Sequence, residues 1–240
     1  MPEMVDVHNH ALFGVDDGAQ TMAICEQMLG SAYAAGVRTI CFTPHYNPSM
    51  FSYSMEELRA RFDKVVAFAA RRMPAMRLFL GNEVFGYPVC ITALETGKCL
   101  PLGNGHHVLV EFSPSVAYRE MRNCFLSCFA VGYTPVLAHV ERYRCLLEKP
   151  ARVAELADMQ VGIQVNAESI SFGFPLKVYS FVHRLLRQDL VTLVASDAHE
   201  PPTRADLMAV AYRKIEKKYG AARAKKLFNS NPKRCLGLNG

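Results

Sequence analysis

At 240 residues, half of them apolar and 20% charged, the chain is long enough to bury a large core and too apolar for a disordered polymer. Lys and Arg outnumber Asp and Glu by only 27 to 22, and much of the excess falls at 213–226, where it reads as a solvated helix face; no stripe of interleaved basic and aromatic residues supports a nucleic-acid groove. No stretch offers the ~18 consecutive apolar residues of a membrane span, and Met1-Pro2-Glu3-Met4 lacks the basic and apolar regions of a secretion signal, so a cytoplasmic protein is expected.

In chain order, short apolar, β-branched runs at 4–7, 39–43, 78–80, 108–110, 135–138, 162–165 and 191–195 predict strands. After the first, Met22, Cys25, Met28/Leu29 and Ala32/Tyr33 recur at helical spacing, with Gly36 as the stop. Ser54 and Glu57 form the signature of a capping box. It opens a helix whose apolar face is Leu58, Phe62, Val65/Val66 and Phe68/Ala69. Further helical patterns cover 118–131, 150–159, 179–188, 204–219 and 221–228, while 44–54 and 97–107 read as loops. Strands alternating with helices indicate a parallel sheet with crossover helices. With no internal repeat or composition break, 1–240 reads as a single α/β domain, and seven strand units predict a seven-stranded (β/α)7 barrel. The eight cysteines lie mostly in apolar or helical runs (Cys25, Cys41, Cys90, Cys124, Cys128) and form no C-x-x-C pair, so reduced, buried thiols are expected.

Six of these runs lead into metal-ligand residue types: His8 and His10, His45, Glu83, Glu111, His139, and Asp197 with His199. Parallel barrels place their chemistry at the carboxyl ends of the strands. His8-Asn9-His10 puts two imidazoles on one face of a strand, because residues two apart share a face; Asp197-Ala198-His199 repeats the spacing. Alone, H-x-H is a weak signal. Five of the eight histidines and three acids at successive strand ends are a strong one. Imidazole and carboxylate without thiolate suit Mn, Fe or Zn, and a bridging carboxylate such as Glu83 suggests more than one ion. His106, His107 and His183 read as structural. Asp16-Asp17-Gly18 is a turn signal that also brings a loop acid within reach of the cluster, and the sequence does not separate Asp16 from Asp17.

The ordered set Val5-Asp6-Val7-His8-Asn9-His10, Val15-Asp16-Asp17-Gly18, Thr43-Pro44-His45, Gly81-Asn82-Glu83, Glu111-Phe112-Ser113, Ala138-His139-Val140-Glu141-Arg142-Tyr143, Val165-Asn166-Ala167 and Ala195-Ser196-Asp197-Ala198-His199 resembles the PHP (polymerase and histidinol phosphatase) superfamily. Within it, the chain is similar to the bacterial manganese-dependent protein-tyrosine phosphatases that partner capsule and exopolysaccharide tyrosine kinases. The likeness extends to Leu227-Phe228-Asn229-Ser230-Asn231-Pro232. It implies a distorted seven-stranded barrel of PHP type holding three divalent ions, manganese first, with Fe, Zn or Mg as other options. His8, His10, Glu83 and Asp197 would hold the first ion. Glu83, shared, with Glu111 and His139 would hold the second, and Asp17, His45 and His199 the third. The implied activity is hydrolysis of phosphotyrosine by a metal-activated hydroxide, on a partner such as the phosphorylated tail of a cognate tyrosine kinase.

Arg142 and Arg204 follow His139 and His199 on loops at the ligand end and match the family's phosphate-binding arginines; a guanidinium fork donates two parallel hydrogen bonds. A phenolic leaving group, with a pKa near ~10, departs without a dedicated general acid, and none is assigned. No cysteine is followed six positions later by arginine, which excludes the phosphocysteine mechanism. The alternatives are a histidinol-phosphate or other small phosphomonoester phosphatase of the same superfamily and, from another class, a non-catalytic regulator that binds a phosphotyrosine tail. Glu111, where histidinol-phosphate phosphatases tend to carry histidine and binuclear amidohydrolases a lysine, favours the protein phosphatase.

Overall fold

The computed structural model describes residues 3–171, 175–201 and 205–238 (the side chains of 88–90, 205 and 206 excepted). Its strands are β1 (Met4–Asn9), β2 (Val37–Phe42), β3 (His45–Tyr46), β4 (Arg77–Leu80), β5 (Glu83–Phe85), β6 (His107–Glu111), β7 (Thr134–Leu137), β8 (Gly162–Asn166) and β9 (Leu193–Ala195). Every pairing between them is parallel. They form a curled sheet in two parts, one ordered β1-β2-β4 and one of six strands ordered β3-β5-β6-β7-β8-β9.

Where the sequence predicts seven strands, the pairing gives nine shorter segments, because after β2 and after β4 the chain leaves the ladder and re-enters it as β3 and β5. Pro44 has no N–H to give to a ladder, so β2 stops at Phe42 and the chain pairs again only at His45. The neighbouring path breaks in step with it. Gly81 N donates to Phe42 O (2.8 Å), and Glu83 N is shared between Thr43 O and Pro44 O (3.3 and 3.2 Å). Past the last strand, Asp197 N donates to His8 O and His10 N to Ala198 O, both at 2.9 Å, which ties β1 to the segment after β9. Asp6 strengthens the tie by accepting from Ser196 N (2.9 Å) and Ser196 Oγ (2.6 Å).

The helices are α1 (Met22–Ala34), α2 (Met55–Arg72), α3 (Pro88–Glu95), α4 (Tyr118–Ala130), α5 (Arg144–Glu148), α6 (Ala151–Asp158), α7 (Ala167–Ser171), α8 (Leu176–Arg187), α9 (Ala205–Tyr219), α10 (Ala221–Lys225) and α11 (Asn231–Cys235). Thr21 caps α1 through Ile24 N (3.3 Å), and Gly36 follows the helix at φ +97°, a conformation that favours glycine. The capping box of α2 is present in both directions, Glu57 N to Ser54 Oγ (3.1 Å) and Ser54 N to Glu57 Oε2 (2.8 Å). Leu58, Val65 and Ala69 of α2 are buried, but Val66, expected on the same face, is exposed. The pattern at 221–228 is not one helix: a π turn, Lys226–Ser230, interrupts it. Helices α3, α5 and α7, of 8, 5 and 5 residues, are too short to show a period in the sequence.

Two apolar layers follow from the alternation of side chains along the strands. On β6, Val108 and Val110 face the helices while Leu109 faces inward; on β7, Leu137 faces the helices while Val136 faces inward. The inner cluster joins Val5, Val7, Cys41, Leu109, Val136 and Leu193, and it is stoppered by Leu102 and Leu236. Leu102 lies on the loop entering β6, so the stopper occupies the amino end of the sheet. Leu109→Glu111 and Ala195→Asp197 are two-residue steps along one face, and they carry carboxylates to the opposite, carboxyl end. Truncation of the stopper, Leu236→Ala, is expected to cost about 2–5 kcal/mol. Urea denaturation checks this, since a loss below ~0.5 kcal/mol, the usual scale of a surface substitution, would mean that Leu236 does not fill the interior.

Candidate metal centre

At the carboxyl end, His8, His10, His45, His139, His199, Asp17, Glu83, Glu111 and Asp197 form four overlapping groups whose ligand atoms lie within 4.8 Å of one another. His8, His10, Glu83, His139 and Asp197 are buried. Which nitrogens face the middle is decided by the partners on the far side of each ring. Gln164 Oε1 accepts from the backbone N–H of His139 (2.8 Å), which fixes the amide's orientation, and it lies 3.0 Å from His8 Nδ1. The proton of His8 therefore sits on Nδ1. Asp16 Oδ2, 2.7 Å from His10 Nδ1, fixes the same tautomer in His10.

Both Nε2 atoms are left as lone pairs 3.1 Å apart. Glu83 Oε2 completes the crowd, 3.1 Å from His8 Nε2, 3.3 Å from His10 Nε2 and 3.2 Å from His45 Nδ1, with no hydrogen-bond partner among the described residues. Converging buried lone pairs repel unless positive charge lies between them. The titration behaviour points the same way. Burial opposes charge on His8, yet Glu83 and Asp197 outweigh it and raise the imidazole's pKa. Burial likewise opposes the ionised form of Glu83, and His8, His10 and His139 overcome it, holding the carboxyl well below its usual range. This donor set fits divalent cations.

The more open side of the cage is built on His45 and His199. The His45 ring stacks on Phe51 (5.4 Å, 5° between planes) with Nδ1 2.8 Å from Glu111 Oε1. His199 Nδ1 lies 3.0 Å from the carbonyl of Asp197, so its proton points away and Nε2 faces Asp17 Oδ1 at 3.6 Å. Burial, and then the His10 ring stacked 4.0 Å away, push the His199 pKa down to about 4, which keeps it neutral and able to donate a lone pair. The two adjacent acids have different surroundings. Asp16 is buried and engaged by His10 Nδ1, Gly18 N (3.0 Å) and His45 N (3.0 Å). Asp17 is 58% exposed in its side chain and groups with His10, His45 and His199. Gly18 permits this turn because a Cβ there would lie 2.0 Å from His10 O.

Two ligand-type residues sit in the left-handed region, His139 (φ +29°) and Asp197 (φ +52°). Such backbone costs of order 1–3 kcal/mol per residue and is held here by Gln164 on one side and His8 O on the other. Arg142, on the turn Val140–Arg142, donates to Asp197 Oδ2, which also accepts from Asn166 Nδ2 (2.8 Å). Arg204 lies outside the described residues. His183 packs on α8 against Tyr219 Oη (3.1 Å), and burial together with Lys218 pushes its pKa down to about 4.

Sequence reasoning missed the orienting residues Gln164 and Asn166. They occupy the inner face of β8, whose end carries no ligand residue, and Gln164 Nε2 donates to Asn166 Oδ1 (2.6 Å). The available signal was parity: two amides alternate with Ile163 and Val165 on a strand otherwise buried. Tyr143 was also passed over; its hydroxyl accepts from Phe112 N (3.2 Å) and lies 3.3 Å from His139 Nδ1.

A curled parallel sheet with an imidazole–carboxylate cage at its carboxyl end defines the class, an α/β protein of metal-dependent hydrolase type. The family described as capsular polysaccharide synthesis, CpsB/CapC, matches residues 4–237, and the chain belongs to it. Tyrosine-protein phosphatase CpsB of Streptococcus pneumoniae is 34% identical over 241 residues, which cover 97% of this chain and 98% of that protein. Tyrosine-protein phosphatase YwqE of Bacillus subtilis is 30% identical over 220 residues, 91% of this chain and 86% of YwqE. A chain from the crystal structures of YwqE and CpsB, described as unique metal-dependent tyrosine phosphatases, superposes with a TM-score of 0.90 at 28% identity, covering 98% of this chain and 96% of that one. A histidinol phosphate phosphatase of Lactococcus lactis shares the fold, with a TM-score of 0.59 at 18% identity over 97% of this chain and 98% of that one.

Because Gln164 Oε1 holds the His8 ring and the His139 backbone N–H at once, Gln164→Ala is expected to weaken metal retention by about 10- to 100-fold with unchanged far-UV circular dichroism. Competition against a chelator measures the effect. Equal retention in both proteins would show that the rings do not need the amide.

Proposed function

We propose that this chain is a metal-dependent protein-tyrosine phosphatase acting in polysaccharide synthesis. The observation that carries the reading is the cage itself, in which buried imidazole nitrogens with fixed tautomers and two carboxylates aim lone pairs at a common centre. Membership of the CpsB/CapC family, and relatives named as tyrosine-protein phosphatases, support the choice of substrate class. We assign three ions, manganese first, to the ligand sets His8–His10–Glu83–Asp197, Glu83–Glu111–His139 and Asp17–His45–His199. Divalent cations in such a cage supply Lewis-acid activation of water and neutralise charge on a phosphoryl group.

The chain's own side chains position and balance these charges. Gln164 and Asp16 lock His8 and His10 so that neither ring rotates its N–H toward an incoming ion. Arg142 holds one edge of its guanidinium on Asp197 and leaves the side chain 41% exposed, so further N–H donors are offered to a phosphoryl oxygen from outside the cage. Arg204 is proposed as the second phosphate contact on the sequence match alone. For the fold, we read β2 with β3 and β4 with β5 as two interrupted strands. That gives seven strand paths in one domain spanning 1–240, with the Asn9–Ala198 bridge closing the barrel. No helix of the described residues is long and apolar enough to cross a membrane. We place the protein in the cytoplasm, where free buried thiols such as Cys41 and Cys235 persist, with the phosphorylated tail of a cognate tyrosine kinase as its partner.

Purified protein with added manganese is expected to hydrolyse p-nitrophenyl phosphate and to lose that activity on chelation. His139→Ala and Asp197→Ala should abolish turnover while near-UV circular dichroism stays native. Arg142→Ala should lower kcat/KM by about 10²-fold, the usual scale for one lost oxyanion donor. A phosphotyrosine tail peptide should outrun histidinol phosphate at equal concentration. Metal-replete protein that binds the peptide without turning over either ester would refute the enzyme and leave a binding regulator.

A further inference from the structure

Next to the cage lies a cationic groove that the reaction does not account for. The loop after β6, the α5 segment and the first turn of α8 line an open groove of about 380 Å³. Its charged lining among the described residues is Arg142, Arg144 and Lys177 against one carboxylate, Glu148. Arg142 belongs to both sites, because the same side chain that lines the groove donates to Asp197 in the cage. The groove therefore adjoins the metal centre across Arg142. Its walls are tied together, since Arg144 N donates to Pro114 O (3.0 Å). The residue between the two arginines is also anchored: Tyr143 is fully buried, with its hydroxyl on Phe112 N (3.2 Å). Arg142 and Arg144 are thus presented from a fixed backbone.

We propose that this groove is a second anion subsite, in which Arg144 and Lys177 hold a carboxylate or a phosphate carried on the peptide near the phosphotyrosine. The inference rests on the phosphatase reading above and deepens it to a substrate preference. Two cations beyond Arg142, in a concave wall that concentrates their field, favour a doubly anionic peptide over a singly anionic one. A forked guanidinium and an ammonium together accept either anion. The reacting phosphate needs neither residue, because it is served by the cage and Arg142.

The test compares kcat/KM on four substrates: p-nitrophenyl phosphate and three phosphotyrosine peptides, with neutral flanks, with glutamates at neighbouring positions, and with a second, neighbouring phosphotyrosine. Wild-type protein should prefer the acidic or the doubly phosphorylated peptide over the neutral one by about five- to tenfold at low salt, falling as salt rises. Whichever peptide shows the larger ratio identifies the source of the anion. The double variant Arg144→Ala/Lys177→Ala should lose the preference yet hydrolyse p-nitrophenyl phosphate within about twofold of wild type, about the effect of one weak exposed ion pair. No preference in wild type, or a preference that survives the double variant, overturns the subsite. So does an equal loss on all four substrates, which would make the two residues part of the general machinery. Absence of turnover on every substrate by metal-replete wild type would instead sink the phosphatase reading.

Discussion

Glu83 is the constraint around which this molecule is organised. An ionised carboxylate at zero exposure carries a desolvation penalty of several kcal/mol, and the fold offsets it with histidines from three other strand ends. His139 Nε2 approaches Glu83 Oε1 at 2.9 Å, while His8, His10 and His45 surround Oε2. The arrangement balances only when positive charge occupies the middle, because two of those rings have their protons committed outward. Binding of cations and stability of the cage are in that sense one problem. The residues that solve it include several that touch no ion: Gln164, Asp16, Asn166 and Tyr143.

That electrostatic demand explains otherwise costly features of the backbone. His139 and Asp197 adopt positive φ just past the ends of β7 and β9, where their side chains enter the cage. The breaks at Pro44 and Gly81 serve the same end, re-aiming the chain so that His45 and Glu83 begin new short strands in register with each other. Apolar filling is displaced to the other end of the sheet, where Leu102 and Leu236 close the interior. One end of the sheet is stabilised by burial and the other by charge. The polar end keeps its shape through hydrogen bonds that span up to 190 residues of sequence, as between Asp6 and Ser196.

The ligand end was legible because metal-binding residue types are conspicuous at the ends of apolar runs, and because His8-Asn9-His10 and Asp197-Ala198-His199 share the strand period. Asp16 and Asp17 could not be parted, since adjacency hides that one is buried under Gly18 and the other turned outward. Gln164 and Asn166 were hidden for a different reason: an amide on a buried strand looks in sequence like a tolerated polar residue until its partners are known. The short strands His45–Tyr46 and Glu83–Phe85 were not legible, since two or three residues after Pro44 and after Gly81-Asn82 are too few to show a period. Val66 misled differently, as an apolar residue at helical spacing that stands in solvent.

Sequence and structure exclude thiol catalysis on independent grounds. The sequence lacks the arginine that a phosphocysteine loop requires. The structure adds that Cys25, Cys41 and Cys235 are in the wrong state, since a nucleophilic cysteine must ionise. Burial pushes the Cys25 thiol up to about 12, with Glu26 adding to the shift, and desolvation raises Cys41 still further. Cys235, in the apolar stopper, is driven up to about 12 by the same burial. Cys124 departs from this trend, lowered by a hydrogen bond from Cys128, but it lies on α4 in the helix-side core and has Ala130 where an arginine would be needed. Among the described residues these thiols behave as packing groups, and the groups able to handle a phosphate ester at neutral pH are the imidazoles, carboxylates and arginine at the carboxyl end of the sheet.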